Sequence, residues 1–117
     1  MEALTAVSRL AALAHPTRLE TYRLLIKAGP EGLAAGRIAE LTGSLPNTLS
    51  SNLSSLGGAG LVHSRREGRS IIYSANFAAM SELLAFLVED CCNGAPEICA
   101  PISDALNRVA CCPPERV

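Results

Sequence analysis

Three cysteines in the run Cys91-Cys92-Asn93-Gly94-Ala95-Pro96-Glu97-Ile98-Cys99 form the most reactive grouping in the chain. Two adjacent thiols and a third on a short tether make a small open claw of soft donors. A trivalent centre such as arsenite or antimonite takes three thiolates in a pyramid, its lone pair filling the remaining direction, so three sulfurs satisfy it. Zinc asks for four ligands in a tetrahedron, usually from Cys-x2-Cys or paired histidines, and neither spacing is present. Soft-thiolate preference therefore points to As(III) or Sb(III) as an effector, with Cd(II) and Cu(I) behind them. The same thiols can close a disulfide, which leaves a redox switch as the competing reading.

A second stretch carries a different chemistry. Between Leu45 and Leu56, the side chains of Asn47, Thr48, Ser50, Ser51 and Ser54 are small hydrogen-bonding groups, and Leu49, Leu53 and Leu56 recur at i, i+4 and i+7. A helix here buries its leucine seam and presents Ser, Thr and Asn outward, a face suited to base edges in a DNA major groove. A solvated polar hairpin is the alternative for this stretch taken alone. The neighbouring segment on its C-terminal side is cationic: residues 63 to 70 hold Arg65, Arg66 and Arg69 against one Glu. A basic turn directly after such a helix fits the phosphate backbone beside the groove.

Spacing also defines the elements that must position these groups. Leu4, Val7, Leu10, Ala11 and Ala14 mark a first helix, ended by His15-Pro16. Pro16 and Thr17 open a second, in which Leu19, Tyr22, Leu24, Leu25 and Ile26 are apolar through most of a turn, before Gly29-Pro30-Glu31-Gly32 stops it. Ile38, Ala39 and Leu41 give a short third helix, broken at Thr42-Gly43-Ser44. Ser44 is the expected cap of the fourth helix and Pro46 fits its first turn. Gly57-Gly58-Ala59-Gly60 closes that helix and makes a loose joint. Residues 61–66 and 69–74 read as two strands across a Glu67-Gly68 turn. Phe77, Met80, Leu83, Leu84, Leu87 and Val88 then define an amphipathic helix over about 76–92, and Pro101 starts a short last helix before Cys111-Cys112-Pro113-Pro114. That second thiol pair is either an extra soft site or an idle tail.

The stripes of the first and last long helices exceed what one small core can cover, which predicts a homodimer packed through them. At 117 residues the chain is expected to form a single domain, 1–117, with a wing at about 61–74, a dimer and ligand-site helix at about 76–92, and a short helix and tail at 101–117. The fold class is mainly α with a small β-hairpin, a winged helix-turn-helix. Two Tyr, two Phe and no Trp are too few aromatics for a single-strand stacking platform. A net charge of −1 requires any DNA affinity to come from local patches. Met1 to Leu10 lacks the basic and apolar regions of a signal peptide, and the run Leu83 to Val88 is too short to span a bilayer, so a cytoplasmic protein with no membrane partner is expected. In that reducing compartment five cysteines suit metal or redox duty better than a disulfide framework. An enzyme is not expected, because a catalytic thiol wants a cationic or helix N-terminal setting and Cys91 and Cys92 fall at a helix C-terminus.

Leu13-Ala14-His15-Pro16-Thr17-Arg18-Leu19, Thr48-Leu49-Ser50 with Leu53 and Leu56, Ala59-Gly60-Leu61-Val62 and Arg66-Glu67-Gly68-Arg69 together resemble the ArsR/SmtB family of metalloregulatory repressors. The resemblance spans roughly residues 4 to 90. It implies a dimeric winged helix with the first and last helices at the interface, and binding to double-stranded operator DNA that a metal or metalloid relieves. Leu33 to Arg37 holds no thiol where many arsenic sensors carry one, and Ser51-Asn52 stands where the family often has histidines. The Cys-Cys…Cys stretch is similar to arsenic repressors whose site lies at the end of the last long helix, which assigns Cys91, Cys92 and Cys99 as ligands. The implied protein is a repressor of an arsenic-resistance operon that requires no cofactor and responds to As(III), with Sb(III) or methylated trivalent arsenic as further effectors.

Overall fold

A computed structural model describes residues 1–88, 100–102 and 104–105. Cys91, Cys92, Cys99, Cys111 and Cys112 lie outside the described residues. The chain gathers into one compact unit, Met1–Phe86, and a second, Leu87–Val117.

The first unit opens with α1 (Ala3–Leu13) and α2 (Pro16–Ala28). His15 is extended and Pro16 occupies the first helical position of α2, where the missing amide hydrogen costs nothing. Thr21, Tyr22 and Leu25 turn inward from α2, whereas Leu19 is exposed, so the buried face of that helix is narrower than its apolar run suggested. A 3-10 turn, Gly29–Glu31, leads to β1 (Leu33–Ala34), a strand the sequence did not announce. Gly32 makes this approach possible: its φ is 73°, and a Cβ there would collide with the carbonyl of Tyr73.

Then come α3 (Ala35–Thr42) and α4 (Pro46–Gly58). Ile38 anchors α3, and left-handed Gly43 ends it with its amide on Ala39. Ser44 does not cap α4. Leu45 holds the cap position with no side-chain bond to the helix, and Ser44 is engaged with Thr42 instead. The Thr42 hydroxyl donates its one proton to the Ile38 carbonyl at 2.9 Å, so at 2.8 Å the Ser44 hydroxyl donates to it.

The helix α4 runs through Gly57 and Gly58 and closes in a Schellman turn. The amide of Gly60 bonds Gly57 and that of Leu61 bonds Leu56, both at 3.0 Å, with Gly60 at φ 80°. Leu56 and Leu61, the apolar pair that such a turn brings together, are fully buried. The joint is thus hydrogen-bonded rather than loose.

The strands β2 (Val62–Glu67) and β3 (Ser70–Ala75) form the hairpin, with Glu67 opposite Ser70. Its two-residue turn is Gly68-Arg69, one place later than the pattern suggested, with Gly68 at φ 63°. β1 adds to the other edge of β3, giving an antiparallel sheet in the order β1-β3-β2 with Leu33 opposite Tyr73. Asn76 then caps α5 (Phe77–Val88): its Oδ1 accepts the Ala79 amide at 3.1 Å. Its Nδ2 donates to the Gly60 carbonyl, also at 3.1 Å, so one side chain fastens the end of α4 to the start of α5. In the second unit, residues 100–102 and 104–105 are helical.

The core joins Tyr22, Leu25, Ile38, Leu49, Leu53, Leu56, Leu61 and Val62 from α2, α3, α4 and the root of the hairpin. Each fully buried leucine contributes about 1.5–3 kcal/mol relative to exposure. Truncating Leu56 would cost about 2–5 kcal/mol and release the inner face of α4. Among the described residues no helix is long and apolar enough to cross a membrane.

Candidate nucleic-acid interface

With Leu49, Leu53 and Leu56 fixed in the core, α4 has one rotational setting, and Asn47, Thr48, Ser50, Ser51 and Ser54 are all exposed. The expected polar face therefore exists. It is divided between two grooves. Ser50 and Ser54 share an open groove of about 310 Å³ with His63, Ser64 and Tyr73 of the hairpin. Asn47, Thr48 and Ser51 share another, of about 420 Å³, with His15 and Arg18 at the start of α2. The hairpin side was legible in the chain order; the α2 side was not, because nothing local in residues 13–19 signals nearness to residue 48.

Asn52 was not expected inside. It is 4% exposed on the shoulder of the leucine seam, and its Nδ2 has no hydrogen-bond partner among the described residues. Its place three residues after Leu49 and four before Leu56 is the signal that marks it as inward-facing.

The three hairpin arginines are not equivalent. Arg65 donates from Nε to Glu67 and from Nη2 to the Glu31 carbonyl, both at 2.7 Å, and so ties β2 to the turn before β1. Arg66 and Arg69 are exposed and make no side-chain hydrogen bond among the described residues. Arg37, at the first turn of α3, pairs with Glu40 at 3.2 Å on the surface, a contact of little energetic weight. The free cationic character of this face therefore rests on Arg66 and Arg69 at one end. Arg18 supplies it at the other, holding the Ala12 carbonyl through Nε at 2.6 Å with its terminal nitrogens otherwise uncommitted among the described residues.

Elsewhere, α1 and α5 are pinned to each other by Arg9, which donates to the Ala79 carbonyl at 2.8 Å and meets Glu82 at 3.2 Å. Ala6, Ala79 and Leu83 are buried nearby in sequence, whereas Leu4, Val7, Leu10 and Leu84 are 80, 59, 41 and 42% exposed. Burial pushes the Tyr22 hydroxyl above its ordinary pKa of 10.0, with Arg9 pulling the other way, and that hydroxyl has no partner among the described residues. Among the described residues no three His, Cys, Asp or Glu side chains are placed to hold a metal together.

Residues 13–65 match the family described as Helix-turn-helix domain. The HTH-type transcriptional regulator YgaV of Escherichia coli K12 is 32% identical over 82 residues, covering 70% of this chain and 81% of that protein. Among solved structures, a homodimeric winged helix-turn-helix DNA-binding domain from Mycobacterium bovis, described as a possible ArsR-family regulator, is 33% identical. The match covers 74% of this chain and 79% of that one, with a TM-score of 0.59. A possible transcriptional regulator for arsenical resistance is 25% identical over 83% of this chain and 95% of its own, with a TM-score of 0.62.

Proposed function

Since the chain belongs to the ArsR/SmtB family of winged helix-turn-helix transcriptional regulators, we propose that it is a homodimeric repressor of an arsenic-resistance operon, released from its operator by As(III). The DNA-binding half is carried by the exposed Ser/Thr/Asn face of α4 lying beside an arginine-tipped hairpin. Asn47, Thr48, Ser50, Ser51 and Ser54 meet base edges. Arg66 and Arg69 meet phosphates, while Arg65 braces the wing that carries them.

The exposed leucines and valine of α1 and α5 supply the contact between two copies; the similar domain from Mycobacterium bovis is homodimeric. Two-fold symmetry then aims two α4 helices at half-sites about 34 Å apart or a multiple of it. The effector half rests on the donor set, three soft thiols at Cys91, Cys92 and Cys99 just past α5 in sequence. Three thiolates are the number a trivalent pyramidal centre accepts, and forming them releases protons. Similarity to a possible transcriptional regulator for arsenical resistance supports an arsenical effector. Asn76 caps α5 and grips the carbonyl of Gly60, so the helix that precedes the cysteines in sequence is bonded to the end of the recognition helix. Coupling of this kind is typically about 1–3 kcal/mol and reciprocal, so operator DNA weakens effector binding by the same factor.

The test is an operator-release titration across arsenite, antimonite, cadmium and peroxide, the metals under strong reductant, with Cys→Ser variants at each position. Cys99→Ser should bind DNA normally and ignore arsenite. Release of that variant at the wild-type arsenite concentration would remove Cys99 from the site. Release by peroxide alone would make the protein a redox sensor.

A further inference from the structure

A helix lying in a major groove has a phosphate backbone on each side of it, and the wing accounts for one side only. The other flank of α4 is the groove of about 420 Å³ lined by His15, Arg18, Asn47, Thr48, Ser51 and Asn52. None of these lining residues is acidic. We propose that this groove seats a backbone phosphate of the DNA strand opposite the wing, with Arg18 as its cationic clamp. This rests on the DNA-binding reading and extends it to His15 and Arg18, which lie outside α3, α4 and the hairpin.

Four observations converge there. Arg18 is held from behind, since its Nε donates to the Ala12 carbonyl at 2.6 Å, so the guanidinium is positioned before any ligand arrives while its outer nitrogens are left to donate. Planar, pre-positioned guanidinium donors match phosphate oxygens. His15 stands at the cap position of α2, where its side chain makes no cap bond to that helix, and its imidazole carries an N–H donor in either protonation state. Thr48 and Ser51 form the α4 wall of the groove. Asn52 forms part of the floor, 4% exposed, with an amide nitrogen that has no acceptor among the described residues.

Electrostatics point the same way. The chain has a net charge of −1, and α4 itself holds no Lys or Arg from Leu45 to Leu56. Arg65 is engaged with Glu67 and the Glu31 carbonyl, and Arg9 with Ala79 and Glu82. A repressor with so few uncommitted cations near its recognition helix needs one on the side away from the wing, and Arg18 stands there.

The experiment uses the full chain and a short labelled duplex enriched by it from a random pool. Arg18→Gln, shown by circular dichroism to be folded, should lower the slope of log affinity against log salt by about one and weaken enriched and scrambled duplexes alike. Arg18→Lys should keep the slope. An unchanged slope in folded Arg18→Gln would overturn the proposal.

Should Arg18→Gln not fold, the duplex is altered instead, replacing single phosphates by neutral methylphosphonates and measuring wild type against His15→Ala. One phosphate on the strand away from the wing should matter less to the variant than to wild type; additivity at every position would overturn the proposal. The Arg66→Ala/Arg69→Ala pair is the control. If it lowers the slope and Arg18 does not, the DNA-binding reading stands and the second seat is wrong. If wild type enriches no duplex, both fall.

Discussion

Asn76 offers the most quantitative test of how the recognition helix is held. Its Oδ1 caps α5 through the Ala79 amide and its Nδ2 donates to the Gly60 carbonyl, each at 3.1 Å. A cap of this type contributes about 1 kcal/mol, and a neutral hydrogen bond about 1 kcal/mol more. Asn76→Ala removes both and should destabilise the protein by about 2 kcal/mol. Serine is as good a cap but too short to reach Gly60 and has no amide to offer it, so Asn76→Ser should lose only about 1 kcal/mol. With a urea m value of about 2 kcal/mol/M, midpoints should fall by about 1 M and about 0.5 M, respectively. Protein concentration must be held constant, because a dimer's apparent stability depends on it. If serine were as damaging as alanine, the bond to Gly60 would contribute nothing separable. If alanine lay within about 0.5 kcal/mol of wild type, the range of ordinary surface changes, the whole account of this joint would fail.

Three further outcomes are expected. Tyr22→Phe removes a buried hydroxyl that has no partner among the described residues and should be neutral or stabilising by up to about 1 kcal/mol. In the unfolded chain Tyr22 ionises near its ordinary 10.0, whereas the folded chain holds the proton longer, so its titration leaves stability unchanged below pH 10.0 and lowers it as pH rises beyond that. The alkaline limb of stability should flatten in the phenylalanine variant, and an unaltered limb would refute the assignment. Arg66→Ala and Arg69→Ala should each lower the salt slope of DNA binding by about one, whereas Arg65→Ala should act mainly on amide exchange in the hairpin; three equal slopes would show that Arg65 is not a brace. Val7→Asp or Leu84→Asp, on the exposed apolar faces of α1 and α5, should give monomers in sedimentation velocity and weaken operator binding, and an intact dimer would place the interface elsewhere.

The leucine seam of α4, the proline-started helices and the basic hairpin were all readable in the chain, because each rests on local spacing or on a single residue's backbone constraint. What escaped was set by partners distant in sequence. β1 is two residues long and exists through Tyr73 and Ile72, about forty positions away, so no periodicity in Leu33-Ala34 marks it. Arg65 reads as one more cation until Glu31 comes round to meet it. Ser44 looks like a cap by type, yet Thr42 claims it first. His15 and Arg18 join the α4 face only after α2 packs on α4. Gly57 and Gly58 suggested slack, but the bonds from Gly60 and Leu61 show that composition alone misjudges a closed turn. The three-cysteine proposal rests on donor type and count alone, since Cys91, Cys92 and Cys99 lie outside the described residues.

The bracing of the hairpin changes what such a molecule measures. β3 is paired on both edges, β1 runs directly into α3, and Arg65 ties β2 to the turn before β1, so wing and recognition helix travel as one rigid head. In the proposed dimer, two such heads joined at α1 and α5 would behave as a caliper with fixed jaws, whose adjustable quantity is the span and phase between them. Adding one base pair between half-sites shifts the second by about 3.4 Å and turns it by roughly 35° around the duplex axis. Neither jaw can reshape itself to track that change, so spacer length should be read as strictly as sequence.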